Sequence, residues 1–344
     1  MIDHFNAGNV LATRILEKSL SKFFSRPNVE EIWINREGEV LIKERGAGDW
    51  RAESAPEITY QYLHQLCRVL ANINQSRFDE KDLPVVSCEL PGLPYRFQAI
   101  VGPNVRYHLS DRRGIAIAIR ALTASNRITF ADYGLTQGAV LPGSKRFVEE
   151  GEVEVSDDHI EQISHAIERN LSIVVSGATS TGKTTFTNQL IRLLPDQTRV
   201  ITVEDAREVT VPHHNHVHLM VPRNRSVNSV DWDTVIDSLM RLTPDWVICG
   251  EVSVRNAQSL YNLMGKGHPI ITTVHAGTPD EAIQAFINNM ASSGSTLDPT
   301  STASSLRMQV GCLIQIDRRD GKRQVVEIRF PSREEQLRRE ASNR

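Results

Sequence analysis

The hydrophobic pattern of the first part of the chain predicts a mixed region of helices and antiparallel strands. Apolar residues recur at helical spacing near the amino terminus, at Leu11, Ile15, Leu16, Leu20, Phe23 and Phe24. A second helix is predicted over residues 58–72. Strands are predicted over 31–35, 39–43, 95–101 and 115–120, and the first two form a hairpin across Arg36, Glu37 and Gly38.

From about residue 157 onward, short apolar strands alternate with helices, which is typical of a parallel α/β sheet. Strands are predicted over 172–176, 199–203, 246–249 and 270–273, and helices over 157–169, 183–194, 232–242 and 256–264. The intervening segment 129–156 contains several Gly and Pro residues, which interrupt helices and strands, and is the best linker candidate. We therefore predict an α+β domain over 1–130, a linker over 131–156, an α/β domain over 157–330 and a polar tail over 331–344.

A phosphate-binding loop lies between the strand 172–176 and the helix 183–194. Its G-x-x-x-x-G-K-T motif comprises Gly177, Ala178, Thr179, Ser180, Thr181, Gly182, Lys183 and Thr184, and Thr185 follows it in the helix. Glycines let backbone N–H groups close around phosphate oxygens, and the helix amino terminus adds partial positive charge. Lys183 is expected to reach the β- and γ-phosphates and Thr184 to ligate Mg²⁺. The alternative is a flexible loop without a ligand.

Acidic residues and a histidine follow the other predicted strands, at Glu204, Asp205, Glu251 and His275. Ligands of parallel sheets bind beyond the carboxyl ends of the strands, so these side chains are candidates to orient a water or hold a metal beside the phosphates. Glu204 could instead cap a helix, and His275 could be a hydrogen-bonded core residue. Glu251 follows a short buried strand, where a carboxylate needs a polar site.

Composition limits the classes of partner. The 344 residues include 39 basic and 42 acidic side chains, for a formal charge of −3, which gives no electrostatic case for a nucleic-acid partner. The cysteines are widely separated, as in a reduced cytoplasmic protein, and no apolar run has the length of a membrane span. The amino terminus lacks the pattern of a signal peptide. We therefore expect a cytoplasmic protein.

A histidine-rich segment, 213–218, invites a metal hypothesis because His214, His216 and His218 would share one face of a strand. Zinc sites usually draw on separated pairs of ligands, and no cysteine lies nearby. A polar strand face that makes hydrogen bonds is therefore favoured over a metal site.

The first helix carries a basic stripe, formed by Arg14, Lys18, Lys22 and Arg26. Such a stripe beside an apolar face can lie on an anionic membrane, which leaves peripheral membrane contact open. The favoured interpretation is that the apolar face packs on its own domain and the stripe faces solvent.

Taken in order, these motifs resemble those of the secretion-superfamily traffic ATPases, most closely those of type IV secretion and conjugation systems. The loop 177–184 resembles the family's Walker A motif, and the segment 201–208 its acidic box. Residues 241–251 resemble its atypical Walker B motif, and residues 267–276 its histidine box. The resemblance extends from about residue 15 to residue 330. Four motifs in this order are more specific than any one alone.

The resemblance implies an α/β fold, in which a RecA-like P-loop NTPase domain follows a smaller α+β domain. It implies hydrolysis of ATP with Mg²⁺, with Glu251 activating water, Glu204 supporting the water or the metal, and His275 sensing the γ-phosphate. Arg96 and Arg120 of the first domain match arginines that reach the nucleotide phosphates in the family. A bidentate arginine there stabilises transition-state charge.

The resemblance also implies a homohexamer that works at the cytoplasmic side of the inner membrane with the membrane components of a type IV secretion machine. The chain departs from many relatives at Thr243, Ser253 and Ala285, where those relatives carry basic residues. These departures keep open a nucleotide-gated scaffold with little hydrolysis. A RecA-like nucleic-acid motor is the other alternative, and DNA-stimulated ATPase activity would favour it.

Overall fold

The computed structural model describes residues 15, 16, 19–24, 26, 28–45, 47, 49–91, 93–108, 113–121, 158–221, 232–319 and 322–331. The predicted linker over 131–156, the tail beyond residue 331, and Arg14 and Lys18 of the basic stripe lie outside these residues. Within them the strands form two sheets.

The described residues of the first half form a six-stranded antiparallel sheet in the order β3-β2-β1-β7-β5-β4, with a helix against one face. Its elements are α1 (Ser21–Phe24), β1 (Val29–Ile34), β2 (Glu39–Glu44), β3 (Trp50–Ser54), α2 (Tyr60–Ile73), β4 (Val85–Glu89), β5 (Tyr95–Gly102), β6 (Val105–Arg106) and β7 (Gly114–Ala121). The predicted hairpin is confirmed as β1–β2, and Gly38 takes a φ of 75° in its turn. The short strands β3, β4 and β6 were not predicted.

Successive side chains of a strand point to opposite faces of the sheet, which explains how both faces of this sheet are buried. In β7 the side chains of Ile117 and Ile119 pack in the core formed with α2, whereas Ala116 and Ala118 pack against residues of the second half. Small alanines on the second face allow the two regions to approach closely. The sequence pattern Ile-Ala-Ile-Ala-Ile therefore encodes one face for the domain core and one for the domain interface.

The second half forms an eight-stranded sheet in the order β14-β13-β8-β12-β11-β9-β10-β6 within the described residues. Its elements are α3 (His159–Glu168), β8 (Ile173–Ser176), α4 (Lys183–Ile191), β9 (Val200–Glu204), β10 (His216–Met220), α5 (Trp232–Arg241), β11 (Trp246–Cys249), α6 (Ala257–Gly265), β12 (Ile270–Val274), α7 (Pro279–Ser292), α8 (Pro299–Gln309), β13 (Cys312–Arg319) and β14 (Lys322–Arg329). The strands from β13 to β10 run parallel, and β14 and β6 pair antiparallel at the two edges. The predicted α/β fold class is confirmed.

The edge strand β6 joins the two regions, because it belongs to the first half but pairs with β10 of the second sheet. Apolar side chains of the first half, including Trp33, Leu41 and Ile100, continue the core of the second half. Burial of this apolar surface, at about 25 cal/mol per Å², favours a docked arrangement of the two regions.

A buried arginine lies at the centre of this interface. Arg199 has no exposed surface, its Nη1 donates to Asn35 Oδ1 (3.0 Å) and Asn215 Oδ1 (2.6 Å), and its Nε donates to Leu242 O (2.9 Å). Its guanidinium stacks on Trp33 at 4.9 Å from the ring centroid. Burial lowers the pKa of Arg199 to about 9, so the side chain remains charged at neutral pH.

The described members of the basic stripe make ion pairs within the first region. Lys22 Nζ lies 2.6 Å from Glu57 Oε1, and Arg26 binds Glu53 at 2.6 Å. These pairs support the interpretation that the helix packs on its own domain. Within the described parts of the chain, no helix combines the length and the hydropathy needed to span a bilayer.

Candidate active site

The phosphate-binding loop connects β8 to α4 at the carboxyl edge of the second sheet. A Cβ atom on Gly177 would lie 2.6 Å from Ile316 O and from Thr181 Oγ1, so the close approach of these backbones requires glycine. Gly182 takes a φ of 93°, which also favours glycine. Thr181 Oγ1 donates to Ala178 O at 2.9 Å and closes the turn. The sequence-predicted loop is thus present with the backbone it needs to surround a phosphate.

Lys183 is folded back onto this loop. Its ammonium group donates to Gly177 O (2.9 Å), to Ala178 O (3.0 Å) and to His275 Nδ1 (3.0 Å). An ammonium group has three donors, so these contacts use all of them. Burial lowers the pKa of Lys183, and the nearby carboxylate of Glu251 partly offsets that effect. A bound phosphate oxygen would replace one of these neutral acceptors and give the Lys183 ammonium group a negatively charged partner.

His275 connects Lys183 to Glu251. Because its Nδ1 accepts from Lys183, we assign the ring proton to Nε2, which faces Glu251 Oε1 at 3.4 Å. The Glu251 and His275 side chains are 38% and 43% exposed, so both are accessible to a ligand. The two residues follow β11 and β12, the strands predicted to precede them, and the structure shows that these strands are neighbours in the sheet.

One cavity collects these groups. It has a volume of about 440 Å³ and includes the loop residues Thr179, Ser180, Gly182, Lys183, Thr184 and Thr185 together with Glu204, Glu251 and His275. Asp205 and Glu208 add further carboxylates to its wall, and Arg323 adds a guanidinium. A cation between these carboxylates and a bound phosphate would offset their mutual repulsion.

The donor set beside Thr184 fits Mg²⁺. Thr184 Oγ1 lies 3.2 Å from Glu208 Oε2 and donates to it. Hydroxyl and carboxylate oxygens are ligands that Mg²⁺ accepts, together with phosphate oxygens and water. Thr184 was predicted for this role, whereas Glu208 was placed only in the acidic box.

Glu204 is buried and its carboxylate is largely occupied by the protein. Oε1 accepts from the backbone N–H groups of Glu208 (2.9 Å) and Val209 (2.7 Å), and Oε2 accepts from Thr202 Oγ1 (3.1 Å). In turn, the Thr202 oxygen lies 2.7 Å from His218 Nδ1, which we assign as a donor. Burial lowers the pKa of His218, in keeping with a neutral ring. This relay holds the turn that places Glu208 at Thr184, so Glu204 acts by positioning that turn.

Replacing Thr202 by valine is expected to lower the free energy of unfolding by about 1–3 kcal/mol, because it removes the hydroxyl that joins the buried His218 N–H to the Glu204 carboxylate. Thr187→Val is the matched control, since Thr187 is equally buried and its hydroxyl has no partner among the described residues. Denaturant unfolding of both variants measures the difference. Equal effects of the two substitutions would contradict the relay.

Arg96 and Arg120 do not line this cavity within the single chain, and their contact with a nucleotide stays a prediction. They line a different cavity of about 470 Å³, together with Arg241, Thr243 and Lys266. Thr243 precedes β11 and Lys266 precedes β12, so this second cavity lies at the amino edge of the sheet, and the phosphate loop lies at the carboxyl edge. The ends of β11 alone are roughly 10 Å apart. Arg120 instead faces Glu31 Oε1 at 3.4 Å.

Several functional residues were missed or undervalued because their role depends on distant contacts. Arg323 lies 141 residues beyond Gly182 along the chain, yet a Cβ on Gly182 would come within 2.8 Å of Arg323 Cδ. No local pattern marks such an arginine. His218 was assigned to a polar strand face that makes hydrogen bonds, but its spacing from Thr202 gives no sequence signal for this partner.

The histidine-rich segment makes hydrogen bonds within the protein. His213 Nε2 lies 3.0 Å from Leu194 O, and His214 Nε2 lies 2.9 Å from Glu39 Oε2. His216 stacks on Tyr107, with ring centroids 4.3 Å apart. Among the described residues, no group of three or more His, Cys, Asp or Glu side chains is arranged to hold a metal ion. These contacts agree with a polar strand face.

Comparisons with known proteins agree with the site. The family model for the type II/IV secretion system protein matches residues 140–335. The type IV secretion system protein VirB11 of Brucella suis biovar 1 (strain 1330) is 31% identical over 275 residues, covering 75% of this chain and 72% of the relative. VirB11 of Bartonella quintana (strain Toulouse) is 28% identical over 331 residues, covering 90% of each chain.

A solved structure supports the fold. The crystal structure of the VirB11 ATPase from the Brucella suis type IV secretion system, in complex with sulphate, covers 97% of this chain and 99% of its own. The TM-score is 0.80 at 24% sequence identity. With the phosphate loop, the acidic residues and the histidine gathered in one cavity, this chain belongs to the type II/IV secretion system protein family, the secretion ATPases that its motifs resemble.

Proposed function

We propose that this ATPase hydrolyses ATP as a ring of six copies and uses the resulting domain motion to drive a type IV secretion machine. The observation that carries the proposal is the single cavity in which Lys183, Glu251 and His275 meet. These groups supply phosphate binding, a base for water and a contact that connects the two. The secretion role rests on the names of the relatives, which belong to type IV secretion systems.

The residues of the cavity have distinct proposed roles in hydrolysis. The loop N–H groups and Lys183 bind the β- and γ-phosphates, and Glu251 accepts a proton from the attacking water. His275 lies between them. Its hydrogen bond with Lys183 would break when Lys183 turns from the loop toward a phosphate. Thr184 and Glu208 would hold Mg²⁺, which neutralises phosphate charge when bound. Closure of the cavity on ATP and its opening after hydrolysis would provide the motion.

In a ring, the arginines that do not line the phosphate-binding cavity of their own chain could reach the cavity of a neighbouring copy. The amino-edge cavity is basic, through Arg96, Arg120, Arg241 and Lys266. The carboxyl-edge cavity is lined by carboxylates, including Glu208 and Glu251. A head-to-tail interface that brings these complementary surfaces together closes into a ring. We propose that Arg96 and Arg120 of one copy contact the nucleotide held by the next.

Mixing two inactive variants tests this arrangement. Lys183→Ala removes the phosphate contact, and the double variant Arg96→Ala/Arg120→Ala removes the arginines, so we expect both to lose ATPase activity. If the arginines act between copies, a mixed ring contains interfaces with both sets intact, and activity returns to a measurable fraction of wild type. Phosphate release and ring formation by electron microscopy are the measurements, with each variant mixed with itself as the control. Mixed rings without activity would contradict action between copies.

A further inference from the structure

The carboxylate of Glu251 is held only loosely by its neighbouring side chains. It is 38% exposed, and its 3.4 Å contact with His275 Nε2 is longer than an ordinary N–H···O hydrogen bond. A general base has to lie within hydrogen-bond reach of the water that it activates. The position of this carboxylate therefore depends on the backbone of the turn that carries it, residues 250–253, which follows β11.

The sheet fixes part of this turn. Gly250 N–H donates to Val203 O (3.2 Å), and Val252 N–H donates to Thr273 O (2.8 Å). The Thr273 hydroxyl donates in turn to Gly250 O at 2.8 Å. These bonds fix the first and third residues of the turn, and the polar backbone groups of the second and fourth residues need another partner.

Asn256 supplies that partner. It is the N-cap residue of α6 and is 1% exposed, yet its side chain makes no capping hydrogen bond to the helix. Instead its Oδ1 accepts from Ser253 N–H (2.8 Å), and its Nδ2 donates to Glu251 O (2.8 Å). Nδ2 also lies 3.6 Å from Cys249 Sγ, and that thiol donates to Glu251 O at 3.7 Å. Because an N-cap asparagine ordinarily binds the N–H groups of its own helix, this side chain is committed to the turn instead.

We propose that Asn256 is a positioning residue for ATP hydrolysis, which holds the turn that directs the Glu251 carboxylate toward the attacking water. Both ends of its amide bind the turn, so a rotation of the Glu251 backbone would leave a buried amide without its partners. Asn256 does not line the phosphate-binding cavity, so it acts through Glu251. The inference rests on the proposed function, because it requires Glu251 to be the base.

Replacing Asn256 by serine tests this inference. Serine is also a favoured N-cap residue, so α6 keeps its start, but the shorter side chain cannot bridge Ser253 N–H and Glu251 O. We expect kcat for Mg-ATP to fall about 10- to 100-fold, as when a catalytic group is misplaced by about 1 Å. The Kd for a non-hydrolysable ATP analogue with Mg²⁺ should stay within about twofold of wild type. Phosphate release and titration calorimetry are the measurements.

A double-mutant cycle with Glu251→Gln separates positioning from a general structural role. If Asn256 acts through the carboxylate, Asn256→Ser should reduce the residual hydrolysis of the Glu251→Gln protein by less than about twofold. Phosphate release in a single turnover measures this residual rate. An equal reduction in the wild-type and Glu251→Gln backgrounds would show that Asn256 acts independently of the base, and would overturn the proposal.

Two further variants complete the design. Thr302→Val is the matched control, since Thr302 is 4% exposed, its hydroxyl donates to Asp298 O (2.7 Å) at the start of α8, and it does not line the cavity. Its kcat should stay within about twofold of wild type. Asn256→Asp keeps the size of the side chain and the acceptor for Ser253 N–H but places an oxygen against Glu251 O. It should show the same loss of kcat, and it carries the test if the serine variant does not fold.

The outcomes distinguish this positioning role from the proposed function. Wild-type turnover by the folded Asn256 variants, with Glu251→Gln slow, would overturn the positioning role and leave the proposed function standing. A comparable loss of kcat in Thr302→Val would also overturn it, because any lost hydrogen bond at a helix start would then slow the enzyme. Wild-type turnover by Glu251→Gln would overturn both.

Discussion

Replacing Glu251 by glutamine is expected to reduce ATP hydrolysis by about 10²–10⁴-fold while leaving ATP binding intact, because the amide cannot accept a proton from water. The carboxylate is partly exposed to the cavity, lies 3.4 Å from His275 Nε2, and is not required by the hydrogen bonds that close the phosphate loop. Glutamine has nearly the same shape and can accept a hydrogen bond from His275. Phosphate release measures turnover, and titration with a fluorescent ATP analogue measures binding.

The control for Glu251→Gln is a carboxylate outside the cavity. Asp280 is 61% exposed and pairs with Arg329, so Asp280→Asn changes the charge by the same amount without touching the site. We expect its turnover to remain within about twofold of wild type, because exposed ion pairs contribute little. If Glu251→Gln hydrolysed ATP at a rate similar to that of Asp280→Asn, Glu251 would have no role as the base.

The second large effect is expected at Arg199, where methionine should lower the free energy of unfolding by about 3–5 kcal/mol. Methionine preserves apolar contact with Trp33 but cannot donate to Asn35 Oδ1, Asn215 Oδ1 or Leu242 O. Asn35 Oδ1 and Leu242 O would lose this donor at the interface between the two regions, and Asn215 Oδ1 would keep only the Asn35 amide, 3.0 Å away. Denaturant unfolding followed by tryptophan fluorescence reports this loss, because Trp33 lies under the guanidinium.

An exposed arginine provides the comparison for this substitution. Arg77 lies on the surface, so Arg77→Met should change the free energy of unfolding by less than about 0.5 kcal/mol. A triple variant that also replaces Asn35 and Asn215 by leucine removes the unpaired polar groups and should recover part of the loss. If the denaturant unfolding transition of Arg199→Met matched that of Arg77→Met, the buried arginine would not hold the two regions together.

The phosphate site could be predicted in large part because its determinants are local. The loop, its flanking strand and its helix are contiguous in the chain, and glycine at Gly177 and Gly182 is required by the backbone itself. Glu251 and His275 could be added because parallel strands present their carboxyl ends at one edge of a sheet. Elements beyond residue 279 were not predicted, since the apolar pattern of α8 is weak and β14 is an edge strand.

Other features depend on contacts between distant parts of the chain. Glu204 follows a strand as an active-site acid would, but Thr202, His218 and the backbone of the next turn occupy its carboxylate. Arg96 and Arg120 match the family's motif, but the docking of the first region places them at the opposite edge of the sheet from the phosphate loop.

By itself, then, the sequence determined that this protein has a phosphate loop at the edge of a parallel sheet, with Glu251 and His275 at the ends of other strands of that sheet. The backbone geometry of the loop and the alternation of strands and helices are enough for that conclusion. Only the tertiary structure decided that Glu208 faces Thr184 and that Arg323 packs on Gly182. The physical reason is that these contacts join residues far apart in the chain, and their distances depend on how helices, sheets and hairpins pack.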